Sequence, residues 1–240
     1  MQTVRNDIHN SGIPVLCQSC EARHQGICGA LTPEQLTALS KHTRRVRREA
    51  GQELIADAMP ITSYANVLRG VVKLTKVLED GRQQVVGLQF APDLLGRPMA
   101  SESRVTAETA SDVELCMFPK PALEALMRDG GPVEHRIMMQ ALRELDEARD
   151  WMVTLGRKTA AEKVASFLYL LATHIDPTEN SAVAAFDLPL SRADIADFLG
   201  LTIETVSRQL TKLKADNVIE IANYRHVNIN DLAQLRVRCG

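Results

Sequence analysis

Five cysteines are the residues of this 240-residue chain with the most specific chemistry, and three of them, Cys17, Cys20 and Cys28, crowd into twelve positions. Cys17-Gln-Ser-Cys20 followed by Cys28 presents three soft sulfur donors from one segment, and four such donors hold an iron–sulfur cluster or a tetrahedral zinc. The fourth ligand must come from elsewhere, and Cys116, His24 and Cys239 are the candidates. On residue type alone, Cys116 sits in the apolar run Val113 to Phe118 as a buried structural cysteine would. Cys239, in the C-terminal tail, reads as a spare. An odd cysteine count does not suit a secreted disulfide scaffold, so the clustering points to metal or redox chemistry in a reducing compartment. A thiol-disulfide oxidoreductase using Cys17 and Cys20 is a rival reading. No βαβ pattern places that pair at a helix N-terminus, however, where a thiolate would be stabilised.

A second constellation lies near the C-terminus. Ser191-Arg-Ala-Asp194 forms a capping box that opens a short helix with Ile195, Phe198 and Leu199 inside, and Gly200 supplies the positive φ that ends it. Thr202 caps the next helix two residues later. On that helix Ile203, Val206, Leu210 and Leu213 recur as a buried stripe, while Glu204, Ser207, Arg208, Thr211 and Lys212 occupy the opposite face. Two helices joined by so tight a turn match a DNA-reading helix-turn-helix. Arg208 can fork onto guanine, Glu204 can accept from cytosine N4, and Ser207 can approach either partner of an adjacent pair. Val218 to Ile221 and His226 to Ile229 alternate around Asn223-Tyr224-Arg225, the pattern of a hairpin wing.

Other elements must position these two groups. Residues 1–29, punctuated by Pro14, Gly26 and Gly29, show no periodicity and read as irregular. A short helix follows from Leu31 to Leu39, with Thr32 as N-cap and Pro33 at its first position. Alternating runs at Tyr64 to Leu68, Val71 to Leu78, Gln84 to Phe90 and Val113 to Phe118 predict a small antiparallel barrel or jelly roll. Pro119 to Met127 predicts a short helix. Beyond Gly130-Gly131-Pro132, Met138, Leu145 and Met152 fall at heptad position a, and Ala141, Ala148 and Leu155 at d. The charged flanks (Arg143, Glu144, Asp146, Glu147, Arg149, Asp150) favour a seam between two copies over packing on the chain's own core. Gly156 is expected to interrupt this helix. Thr159-Ala-Ala-Glu162, a second capping box, opens a new domain whose first helix buries Val164, Phe167, Leu168 and Leu171.

Composition sets the outer limits. Apolar residues at 45% and charged residues at 24% are ordinary globular values, so extended disorder is excluded, and aromatics at 4% leave an aliphatic core. The formal net charge of −2 offers no bulk attraction for nucleic acid or membrane, although a local cationic face remains compatible with it. With no leader-like start and no apolar run long enough for a bilayer, a cytoplasmic protein that does not engage the membrane is expected.

Leu190 to Leu213, with Ile195-Ala-Asp-Phe-Leu-Gly-Leu-Thr-Ile-Glu-Thr-Val-Ser-Arg208, resembles the C-terminal signature of the CRP/FNR superfamily of bacterial transcription factors, in its Glu-x-x-Ser-Arg subset. The resemblance spans nearly the whole chain. It implies an α+β fold: a cluster-binding segment over 1–29, an antiparallel β-roll sensor domain of jelly-roll, cyclic-nucleotide-binding-like form over 30–132, a dimerisation helix over 133–158, and a winged helix-turn-helix over 159–240. It further implies a [4Fe-4S] cluster on Cys17, Cys20, Cys28 and Cys116, and a homodimer that binds double-stranded DNA of the TTGAT-N4-ATCAA type and RNA polymerase. Glu204 and Arg208 would take the G·C pair and Ser207 the preceding T·A pair. Seven residues separate Cys20 from Cys28, more than in the most familiar pattern, so the loop wraps the cluster differently. Ala148 stands where that pattern has an acidic residue on the seam. Gly96 is followed by Arg97, and Ser101 occupies the later anchor position, so the resemblance implies no cyclic nucleotide and no enzymatic activity.

Overall fold

The computed structural model describes residues 12–18, 20–128, 131–175 and 183–240. They form two compact units, one of the chain up to Leu74 together with Leu88–Leu145, the other of Thr75–Gly87 together with Asp146–Gly240.

The N-terminal segment is more regular than its sequence suggests. It contains α1 (Val15–Gln18), α2 (Glu21–His24) and a 3-10 turn at Ile27–Ala30, which corrects the irregular reading wherever the segment falls within the described residues. Each piece is a single turn, too short for periodicity to show. They are held instead by local bonds such as Gly26 N to Ala22 O (3.1 Å) and by burial of Ile13, Ala22, Ile27 and Cys28. Next comes α3 (Pro33–Ser40), where Thr32 is the N-cap and Gln35 completes a capping box by accepting from the Thr32 amide at 3.0 Å.

Eight strands follow: β1 (Arg44–Arg48), β2 (Glu53–Ile55), β3 (Ser63–Arg69), β4 (Val72–Val77), β5 (Gln83–Gln89), β6 (Leu94–Leu95), β7 (Thr106–Thr109) and β8 (Val113–Pro119). They make two four-stranded sheets, ordered β1-β8-β3-β6 and β2-β7-β4-β5. This is the expected β-roll. The four predicted strands are all present. Those that escaped prediction lack an apolar alternation: β1 is Arg-Arg-Val-Arg-Arg at a sheet edge, and β2, β6 and β7 have only two to four residues.

The first sheet is covered on both faces. Ala65, Val67, Leu95, Val113 and Leu115 point one way and pack with Val72 and Ala107. Tyr64, Leu94 and Phe118 point the other way, into a core with Ile27, Cys28, Leu36, Leu39, Leu123 and Met127. That second face meets the N-terminal segment, α3 and α4 (Lys120–Arg128).

The long helix α5 (Pro132–Arg157) runs through Gly156 without the expected interruption, because one glycine weakens a helix by only about 1 kcal/mol relative to alanine. The helix stops at the next capping box, where the Glu162 carboxylate accepts from the Thr159 amide at 2.7 Å and α6 (Ala160–Ile175) begins. The second unit continues with β9 (Ala184–Asp187), α7 (Arg192–Leu199), α8 (Ile203–Ala215), β10 (Ile219–Ala222), β11 (His226–Ile229) and α9 (Leu232–Val237). The wing has three strands, ordered β10-β11-β9, rather than the two predicted. Both ends of α7 are fixed as expected. Ser191 and Asp194 cap reciprocally, and Gly200 adopts φ 60°, ψ 44° while its amide closes on Ala196 O. Ser191→Ala removes the cap's hydroxyl acceptor and is expected to lower the unfolding free energy of this unit by about 1 kcal/mol, read as a fall in the urea midpoint.

Candidate functional site

Four cysteines lie near enough to act on one another electrostatically where the N-terminal segment covers the first sheet. Cys17 lies on α1, Cys20 just before α2, Cys28 in the 3-10 turn and Cys116 in the middle of β8; all are free thiols. Cys116 shares a face of β8 with Phe118, so it turns toward the N-terminal segment rather than into the space between the sheets. Across the sheet Cys116 stands opposite Arg45 on β1 and Asn66 on β3. Asn66 Nδ2 donates to Cys28 Sγ at 3.3 Å, which ties the 3-10 turn to the strand beside Cys116. Gly29 makes this turn possible, since a Cβ there would lie 2.7 Å from Arg23 O.

The thiols act on one another electrostatically. Burial, reinforced by the neighbouring charges of Cys116, Cys20 and Cys17, pushes the Cys28 thiol up to about 12, with the Asn66 amide opposing. Burial likewise raises Cys116 to about 12, with Cys20 and Cys17 adding to it and Arg45 countering. Cys17 is raised by burial and by Cys20, and is eased by Arg45 and Arg23. Among the described residues no three His, Cys, Asp or Glu groups stand in metal-holding geometry, so the thiols converge without closing on a common centre. Their chemistry fits a soft metal centre: four sulfurs and no disulfide, whose thiolates would repel one another unless a bound cation lay among them. His24 is half-buried on α2. Cys239, in the other unit, donates to Leu235 O at 3.4 Å and has Ser166, Lys158 and Arg236 for neighbours.

Arg45 and Asn66 were not singled out in the sequence. Arg45 Nη2 donates to Leu16 O at 2.6 Å, pinning α1 to β1, and Nη1 lies 3.7 Å from Glu114. The available signals were an arginine run in a strand and an amide inside the apolar stretch Tyr64 to Leu68.

On α8, Val206, Leu210 and Leu213 are buried as expected. Ile203 is not: it is 46% exposed, because at the first turn the helix has not yet met the core. Glu204, Arg208, Thr211 and Lys212 are exposed and Ser207 is half-buried, so the five candidate DNA contacts share the outer face. Hydrogen bonds from its own backbone amide and the Thr202 hydroxyl hold the Glu204 carboxyl below the usual range, and Arg208 acts in the same sense. Arg208 Nη2 rests on Thr205 Oγ1 at 3.0 Å, while the Thr211 hydroxyl donates to Ser207 O at 2.9 Å. At the wing turn Asn223 and Tyr224 both have positive φ, and Arg192 donates to Tyr224 O at 3.1 Å. The first helix, α7, is anchored by Phe198, whose ring centroid lies 4.5 Å from that of Trp151 on α5 and 5.8 Å from that of Phe167 on α6.

The α5 seam is open to solvent along most of its length. Met138, Ala141, Leu145, Ala148 and Met152 are exposed, Met152 at 72%, with Leu142 beside them; Leu155 alone is half-buried within the chain. Gln140, on the buried side, clamps β6: its Oε1 accepts from Leu94 N at 3.2 Å and its Nε2 donates to Leu94 O at 3.3 Å.

Residues 45–129 match the cyclic nucleotide-binding domain and residues 162–238 the Crp-like helix-turn-helix domain. A Rhizobium leguminosarum bv. viciae protein named "Probable transcriptional activator" is 52% identical over 235 residues, 98% of each chain. The chain belongs to the Crp/Fnr family of transcription regulators. The transcriptional activator protein FnrL of Cereibacter sphaeroides is 38% identical over 93% of this chain and 92% of its own. The solved structure of FixK2 from Bradyrhizobium japonicum superposes with a TM-score of 0.73 at 29% identity, covering 82% of this chain and 98% of that one. As a Crp/Fnr regulator the chain is a DNA-binding transcriptional activator and not an enzyme. Among the described residues no helix is long and apolar enough to cross a membrane.

The thiol centre of this Crp/Fnr regulator yields a pH-dependent expectation. In the reduced, metal-free chain at pH 8, Cys28 and Cys116 remain protonated, because their folded pKa of about 12 lies above the ordinary 9.0. Iodoacetamide should therefore alkylate them more slowly than an ordinary thiol by about one to two orders of magnitude, the smaller thiolate fraction being partly offset by its greater nucleophilicity. The rate should rise about tenfold per pH unit until it approaches that pKa, as followed by peptide mass spectrometry on folded protein.

Proposed function

We propose that this regulator responds to oxygen through a [4Fe-4S] cluster on Cys17, Cys20, Cys28 and Cys116. With the cluster intact it binds TTGAT-N4-ATCAA-type palindromes as a homodimer and engages RNA polymerase to activate or repress genes of anaerobic metabolism. The observation that carries this reading is the convergence of three N-terminal thiols with one from the middle of β8. When bound, the cluster supplies an oxygen-labile iron centre held by four thiolates from two parts of the chain.

The chain's own residues provide the route onward. Arg136, on the first turns of α5, donates to Gln25 O at 3.1 Å, so the cysteine segment rests against the base of the dimerisation helix. Val133 is buried in the same core as Cys28, and Ile137 packs against it. An ordered segment keeps α5 in place; a freed one releases it. Alanines at two d positions and methionines at two a positions bury less area than leucines would, so the seam is weak enough for such a change to tip it. A palindrome needs two recognition helices one DNA turn apart, which only a pair of chains can supply. On each, Glu204 and Arg208 are assigned to the G·C pair, Ser207 to the adjacent T·A pair, and Thr211 and Lys212 to the flanking contacts, Lys212 to phosphate. A cyclic nucleotide is not part of this reading.

Anaerobic purification tests the proposal directly. The chain should carry iron and acid-labile sulfide, absorb in the visible and bleach in air. Cys17→Ser, Cys20→Ser, Cys28→Ser and Cys116→Ser should each abolish anaerobic activation, whereas Cys239→Ser should not. A colourless, zinc-bearing protein would replace the cluster with a structural metal, and a Cys116→Ser variant with full cluster and activity would reassign the fourth ligand. For the DNA face, Arg208→Ala should cost about 1–3 kcal/mol and relax preference at its guanine. Lys212→Ala should weaken binding evenly across half-site variants and flatten the salt dependence. Binding isotherms on substituted operators at several salt concentrations separate the two effects.

A further inference from the structure

Asn66 is the one polar side chain on its stretch of β3, between Ala65 and Val67, and it is fully buried. A buried amide is costly unless both of its ends are hydrogen-bonded, yet only one end is bonded here. Nδ2 donates to Cys28 Sγ at 3.3 Å, and Oδ1 has no hydrogen-bond partner among the described residues. Packing does not call for an amide at this position. The neighbouring places on the same face of the sheet hold Tyr64, Leu94 and Phe118, all apolar or nearly so. Strand register also sets Asn66 directly between Cys116 on β8 and Leu94 on β6, so its side chain stands beside the β-roll cysteine while its amide reaches the N-terminal one. An N–H aimed at a metal-bound sulfur withdraws charge from it and fixes its position.

We propose that Asn66 is a positioning residue of the thiol centre, its side-chain N–H fixing the place of the Cys28 sulfur beside Cys116 and bonding to that sulfur when it holds the metal. The inference rests on the cluster reading above. Asn66 does not ligate the metal; it acts through Cys28, joining the two halves of the ligand set across β3.

The test uses the full chain, purified anaerobically, with Asn66→Leu, which keeps the amide's shape, and Asn66→Ala, which removes it without adding apolar bulk. Two readouts are independent of transcription: the rate at which a ferrous chelator strips iron in the absence of oxygen, and the iron–sulfur(cysteine) stretching bands with their shift on exchange into D2O. Both variants should lose iron about tenfold faster or more than the parent, and part of the deuterium-sensitive shift should disappear. Unchanged rates and bands in a loaded parent and both variants would overturn the role of Asn66 and leave the cluster standing. Faster loss with unaltered bands would overturn it too, by assigning the effect to packing. A parent holding neither iron nor sulfide would overturn the cluster reading and this inference together.

Discussion

Side chains alternate across a strand, and in β8 that alternation decides what the first unit can do. Val113 and Leu115 enter the space between the sheets, so Cys116 and Phe118 must emerge on the opposite face, where the N-terminal segment lies. A slip of one residue would exchange the two sets and bury the thiol among aliphatic side chains, away from Cys17, Cys20 and Cys28. The apolar residues that hold register therefore also place the cysteine. Val67 opposite Leu115 and Tyr64 opposite Phe118 are packing pairs whose consequence is chemical.

Polar groups buried at the edges of this core extend the constraint to the long helix. The amide of Gln140 matches both backbone groups of Leu94, as a neighbouring strand would, and so ties α5 to β6 at a point where a two-residue strand offers little else. It also donates to Glu144 Oε1 at 2.7 Å, and burial raises that carboxyl, with Asp93 adding to the effect. These contacts occupy one side of α5 and leave Met138, Leu145 and Met152 facing solvent. An apolar stripe of that kind, on a helix fixed from behind, is the surface that the proposed homodimer would bury.

The second unit solves a different problem, holding short helices still enough to read base edges. Eight residues of α7 are marginal by themselves, so both ends are capped and Phe198 is set between Trp151 and Phe167. Because Trp151 belongs to α5, the final turns of the seam helix and the first helix of the DNA-binding motif share one apolar contact.

Much of this organisation was legible in local pattern. The capping boxes at Ser191 and Thr159, Gly200 in left-handed geometry, the heptad positions of α5 and the alternation of β3 and β8 are short-range rules, written within a few residues of where they act. The three clustered cysteines were legible for the same reason. What local pattern does not carry is decided by pairing between distant segments. The register that brings Cys116 opposite Arg45 and Asn66, the amide of Asn66 on Cys28 thirty-eight positions away, and the bond from Arg136 to Gln25 are such cases. The one-turn helices of the N-terminal segment, too short to nucleate alone, likewise exist only against the sheet that covers them. Residue type and spacing thus determined which groups could do chemistry. Tertiary packing decided which of them meet, because contact across the sheet depends on register and burial, which no short stretch of chain specifies by itself.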